Sequence, residues 1–180
     1  VTENPAITFH PASLSYLPLM ARWLMEPHVR AFYQPDPITP REVAEEYGPM
    51  FTGETPDICH IAYYGEQPFG YLQCYRNADY EDELPESRQG ISVDLFIGEP
   101  AYAGRGLGAL MLKEYLSQIA FPHFAGEHFA YISHEADDLD AIRISESAGF
   151  RPIDEFEEDE DHVILFRFDR NNNDNKKGGA

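Results

Sequence analysis

At 180 residues the chain is long enough to bury one ordinary domain core, and an aromatic content of 13% excludes a disordered body. Asp and Glu number 32 against 13 Lys and Arg, a net charge of −19, which disfavours nucleic acid and anionic membranes as partners and favours cationic molecules. No apolar run is long enough to span a membrane, VTENPAITFH lacks the features of a signal peptide, and Cys59 and Cys74 match no metal spacing. A reduced, cytoplasmic protein without a metal is therefore expected.

In chain order, residues 6–10 (AITFH) read as a first strand. A helix follows from about Ser15, its expected N-cap, with Pro18 in the first turn and Leu17, Met20, Ala21 and Leu24 as its apolar stripe. EPHVRAFYQPDP is aromatic and proline-broken, unlike a core element. Thr39-Pro40-Arg41-Glu42 is a capping box with proline at the first helical position, and that helix is expected to stop at Gly48-Pro49. Strands near 58–64 and 69–75 flank GEQP, a hairpin signal, with Tyr71, Gln73 and Tyr75 on one face.

An acidic loop, DYEDELPES, leads into Ile91–Ile97, which alternates as a strand: Ile91, Val93, Leu95 and Ile97 point one way, Ser92, Asp94 and Phe96 the other. The next helix places Leu107, Leu110, Met111, Tyr115, Leu116 and Ile119 at helical spacing. A strand near 128–133, a helix near 137–148 ended by Gly149, and strands near 151–155 and 162–168 complete the pattern. The order predicts an α+β fold (α/β three-layer): a central mixed, mostly antiparallel sheet with helices on both faces. Residues 1–170 form one domain in this reading and 171–180 a polar tail.

The chemistry concentrates between Ile91 and Ala109. A strand feeds Gly104-Arg105-Gly106-Leu107-Gly108 at a helix N-terminus, where bare amides and the helix dipole favour an anion. No Gly-Lys-Ser/Thr follows, so it is not a Walker loop, and the dinucleotide GxGxxG is also absent. Asp94 lies just before this cradle. A carboxylate beside an anion holder suggests transfer chemistry, with the acid holding and desolvating an ammonium group. An ordinary Asp, with a pKa of about 3.9, is a poor base near neutrality, so positioning comes first and proton transfer second.

The element order, the strand-to-GRGLG junction and the later AIRISESAGF resemble the GCN5-related N-acetyltransferase (GNAT) superfamily. Within it, PLMARWLMEPHVRAFY, FGYLQCY and VDLFIGEPAYAGRGLG resemble the aminoglycoside 6′-N-acetyltransferases. The resemblance implies acetyl-CoA as co-substrate. Gly104, Arg105, Gly106, Leu107, Gly108 and Ala109 would hold its pyrophosphate, and Phe96 and Ile97 would pair with its pantetheine arm. It also implies Asp94 as the catalytic carboxylate, which anchors the amine and takes its proton. Trp23, Phe32, Tyr33, Tyr71 and Tyr75 would line the acceptor site, with a place in the core the equal alternative for Trp23 and Phe32, and His28 and Gln73 weaker candidates. Glu81, Asp82, Glu83 and Glu86 would receive further ammonium groups. Asp138 and Ser145 stand where the family usually has a CoA-contacting asparagine and a thiolate-protonating tyrosine. Ser133 replaces an aspartate of close drug-modifying relatives, and Ala103 the usual first residue of the cradle.

These residues imply a monomeric or homodimeric N-acetyltransferase acting on a small cationic amine, foremost the 6′-amine of an aminoglycoside, by direct attack without a covalent enzyme intermediate. Two alternatives stand beside it. One is side-chain N-acylation of lysine or ornithine in siderophore assembly, whose enzymes typically carry histidine where Asp94 stands. The other is a non-catalytic binder of acyl-CoA or drug, an idea kept open by Ser145.

Overall fold

The computed structural model describes residues 5–80 and 89–171. Seven strands form one mixed sheet in the order β1-β2-β3-β4-β5-β7-β6. They are β1 (Ile7–Pro11), β2 (Ile58–Tyr64), β3 (Gln67–Arg76), β4 (Ile91–Ile97), β5 (Phe129–Glu135), β6 (Arg151–Glu158) and β7 (Asp161–Asp169). The helices are α1 (Leu17–Trp23), α2 (Pro27–Arg30), α3 (Pro40–Thr52), α4 (Leu107–Tyr115), α5 (Phe121–His123) and α6 (Leu139–Ala148). This is the expected α+β class. Among the described residues no helix is long and apolar enough to cross a membrane.

The chain divides into two compact units. One comprises Val1–Cys74 with Asp94–Met111, the other Tyr75–Val93 with Leu112–Ala180. In the first, β1, β2 and β3 form an antiparallel meander, with a turn at Gly65, whose φ of 63° favours glycine. Gly98 N–H donates to Phe69 C=O, and in the second unit Asn77 N–H donates to Gly90 C=O; β3 and β4 therefore run in opposite directions. In the second unit β5 pairs antiparallel with β7, and β7 with β6. The parallel register of β4 with β5 takes in two residues of β4, Ile91 and Ser92.

The first unit's core gathers Met20, Trp23, Leu24, Val29, Val43, Tyr47, Ile61, Tyr71 and Phe96. Four details differ from the sequence reading. Ser15 is not an N-cap: a short 3-10 turn, Leu14–Tyr16, precedes α1, and the Ser15 hydroxyl bonds that of Ser13. EPHVRAFYQPDP does contribute to the core, because α2 buries Val29. α3 runs through Gly48-Pro49 and stops at Gly53, in the left-handed region at φ 77°. The extension brings Phe51 against Tyr71, which Tyr47 on the preceding turn also meets, and Gly53 caps the helix end. On α4, Leu110 is exposed and Leu112 takes the buried place instead. The Thr39–Glu42 capping box forms as expected, with both reciprocal bonds present.

Candidate active site

The cradle follows β4 through a short turn. Gly98 and Glu99 both donate their N–H groups to Phe69 C=O. A Cβ at Gly98 would stand 2.1 Å from the Trp23 ring, so only glycine fits above that side chain. Trp23 Nε1 and Arg22 both donate to Glu99 Oε2, at 3.3 and 2.8 Å. The Arg22 hydrogen bond is the main reason the Glu99 carboxyl is held below its ordinary range. His28 Nε2 lies 2.8 Å from Ile97 O; a carbonyl only accepts, so this nitrogen carries the proton. α1 and α2 thus tie down the end of β4.

Gly104 and Gly106 have φ of 68° and 75°, and a Cβ at either would meet nothing within 4 Å. The glycines are there for backbone conformation and leave the peptide surface uncovered. Leu107, Gly108 and Ala109 open α4, so their N–H groups have no intrahelical acceptor, and no acidic residue stands in that first turn. An anionic group fits these amides and the positive end of the helix dipole. The Arg105 guanidinium lies 5.7 Å from the Tyr102 ring and donates to Ala101 C=O.

Asp94 is half-buried on β4. Gln73 Nε2 donates to its Oδ2 at 3.0 Å. The Tyr71 hydroxyl lies 2.9 Å from Gln73 Oε1 and 3.3 Å from Cys59 Sγ. Tyr33 and Tyr47 are hydrogen-bonded to each other; burial, with the Asp94 charge adding to it, pushes both phenols well up. Burial also pushes Cys59 up to about 12, so it is a thiol and not a thiolate near neutrality. Tyr33 and Tyr71 both pack on Phe96, at ring distances of 4.7 and 5.5 Å.

The first unit therefore assembles Asp94, Phe96, Ile97, the glycine turn, Tyr33, Tyr71 and Gln73. Trp23 and Tyr71, expected to wall an acceptor, have no exposed surface; they pack beneath the residues that do. The Phe96 side chain is also core, which leaves its backbone as the part available to a ligand. Phe32 is half-buried, while Tyr75 belongs to the second unit, its ring 4.8 Å from Tyr80. Glu81, Asp82, Glu83 and Glu86 lie outside the described residues.

In the second unit Asp138 is the N-cap of α6 and accepts from Ala141 N–H at 3.0 Å. Burial is the largest cause of its raised pKa. Ser145 is fully buried, its hydroxyl 2.7 Å from His134 Nε2. Burial drives His134 down to about 4, so the ring is neutral. Ser133 is exposed. Sequence reasoning missed His134, Glu99 and Cys59: each gains its partner through tertiary contact, and only Gln73, two residues from Tyr71 on one strand face, carried a local signal.

Among the described residues no three His, Cys, Asp or Glu side chains gather as a metal site. The family model described as an acetyltransferase (GNAT) domain matches residues 14–158. Aminoglycoside acetyltransferase AAC(6')-Ib in complex with coenzyme A and kanamycin superposes with a TM-score of 0.84 at 19% identity, over 96% of this chain and 99% of that one. The aminoglycoside N(6')acetyltransferase from Legionella pneumophila subsp. pneumophila str. Philadelphia 1 gives 0.72 at 20% identity, over 97% of this chain and 98% of that one. Spermidine N-acetyltransferase from Vibrio cholerae in complex with CoA and spermine gives 0.72 at 12%, over 92% of this chain and 96% of that one. At such identities the likeness is one of fold. An acetyltransferase of the matched family takes its acyl group from acetyl-CoA, and the uncovered amides around Gly104 and Gly106 suit its phosphates. The family match covers most of the sequence, and the chain belongs to the GNAT acetyltransferases.

Proposed function

We propose that this chain is an acetyl-CoA-dependent N-acetyltransferase of a small cationic amine in a reducing, cytoplasmic setting, with the 6′-amine of an aminoglycoside as its acceptor. The observation that carries the reading is Asp94: a half-buried carboxylate held by Gln73, on the strand whose end turns into the open glycine cradle. Buried, reduced Cys59 and Cys74 suit the compartment.

Acetyl-CoA supplies a thioester whose carbonyl carbon is the electrophile. The amides from Gly104 to Ala109 hold its pyrophosphate, and the backbone of Phe96 and Ile97 aligns the pantetheine arm. Asp94 attracts the substrate ammonium, orients it and accepts its proton directly or through water, which frees the nitrogen lone pair. Tyr33 and Gln73 border that position. Cys59, kept as a thiol, gives no acyl-enzyme route. The departing thiolate takes its proton from solvent.

Thiol release from acetyl-CoA tests the reading, with kanamycin, a 6′-hydroxyl aminoglycoside, spermidine and lysine as acceptors. Release with kanamycin and none with the 6′-hydroxyl drug is expected, together with raised drug tolerance in an expressing host. Release with spermidine or lysine alone would replace the aminoglycoside, and release with no amine would remove the transferase reading.

A further inference from the structure

We propose that Tyr71 and Gln73 are positioning residues that orient the Asp94 carboxylate through a one-way hydrogen-bond chain, Tyr71 to Gln73 to Asp94. The proposal rests on the reading of Asp94 as the acid that holds the amine.

A glutamine amide has two nearly isosteric ends, one accepting and one donating, and its neighbours decide which way it faces. The Tyr71 hydroxyl has one proton and two neighbours, Gln73 Oε1 at 2.9 Å and Cys59 Sγ at 3.3 Å. Its shorter contact is to Gln73, so Tyr71 O–H donates to Gln73 Oε1, with Cys59 Sγ as its longer, second acceptor. Gln73 Nε2 must then face Asp94 Oδ2, which lies 3.0 Å away and only accepts when ionised. The opposite flip would set two acceptor oxygens against each other at that distance and take the acceptor away from the shorter of the two Tyr71 contacts. A residue with no solvent exposure thereby selects the orientation of the carboxylate's neighbour before any substrate arrives.

The chain lies within the first compact unit. Tyr71 is braced by Tyr47, Phe51 and Phe96 at ring distances of 5.7, 6.1 and 5.5 Å. Tyr71→Phe therefore removes one oxygen and leaves that packing in place. Loss of the fixed amide should lower kcat about tenfold with the KM for acetyl-CoA unchanged. Gln73→Ala should do the same, and the double variant should be no slower than Gln73→Ala, because both act through one chain. Additive losses, or a rise in KM for acetyl-CoA without a fall in kcat, would overturn the proposal.

A second readout needs no turnover. The side-chain amide signals of Gln73, followed by 1H–15N NMR in the ligand-free protein, should move toward free-amide positions in both Tyr71→Phe and Asp94→Ala. Signals unmoved in Asp94→Ala would overturn the chain even if Tyr71→Phe failed to fold. If the wild-type chain acetylates no amine, the functional reading fails while these signals still decide whether the hydrogen-bond chain exists.

Discussion

On β4 a single half-buried carboxylate, Asp94, is fixed by Gln73 and feels two buried phenols, whereas the β6–β7 hairpin carries Asp154, Glu155, Glu157, Glu158, Asp159, Glu160 and Asp161 in full exposure. Among the described residues, His162 meets part of the hairpin's charge, its two ring nitrogens reaching Glu157 and Glu155 at 2.8 and 3.2 Å. Both regions are acidic, yet only the first holds its acid in one geometry beside an open cradle. A net charge is a bulk property that attracts cations from a distance; a fixed carboxylate is what selects one amine for reaction. The hairpin acids therefore add bulk charge and little to the proposed chemistry.

The sharpest break of that comparison is Asp94→Ala. Turnover should fall at least about 100-fold while acetyl-CoA affinity by calorimetry stays within about twofold. A change confined to affinity would move Asp94 to the cofactor half of the site. Neutralising Glu157 and Glu158 together, as Gln, should leave turnover within about twofold in the same assay; a large loss would make the hairpin part of the acceptor site. Gly106→Val should produce the complementary pattern, since a β-branched residue resists a φ of 75°. Acetyl-CoA affinity is expected to drop about tenfold, with kcat at saturation nearly kept.

Smaller effects test the scaffold and the two histidines. Thr39→Ala removes the capping box of α3 and should cost about 1 kcal/mol in denaturant unfolding, with kinetics unchanged. His134 and His162 should respond to pH with opposite signs. His134, depressed to about 4 by burial, is neutral in the folded protein, so its contribution is complete above pH 6.5 and is lost as acid is added down to about 4. The Glu157 hydrogen bond, followed by that from Glu155, raises His162; its stabilisation is present below pH 6.5 and fades as pH rises through the raised value. Titration of the two ring signals by NMR reads both, and Glu157→Gln should lower the His162 midpoint.

The parts of this molecule that were legible in its sequence are those governed by near neighbours. Thr39 and Glu42 are three residues apart, and Gly149 follows its helix directly, so both caps could be read from spacing. The run Ile91–Ile97 and the glycines after it announced a strand feeding a cradle for the same reason. The continuation of α3 past Pro49 was not legible, because its contact, Phe51 on Tyr71, is made with another element. Trp23 carried the composition of an acceptor wall, and only the approach of Gly98 reveals that it is covered. The pairing of Gln73 with Asp94 needs the β3–β4 register, and that of His134 with Ser145 needs α6 packed on β5. Neither follows from periodicity.

The chain's sole tryptophan is Trp23. Its indole lies under Gly98, meets Phe96 edge-on at 6.3 Å and donates to Glu99, at the bend between the strand of Asp94 and the glycine turn. Evolution has thereby left a built-in optical probe at the junction of the two halves of the proposed chemistry. Intrinsic fluorescence excited at the indole band needs no label and no substitution here. A titration with acetyl-CoA, followed by one with amine, would watch the same buried ring respond to each ligand in turn and give their order of binding from a single signal.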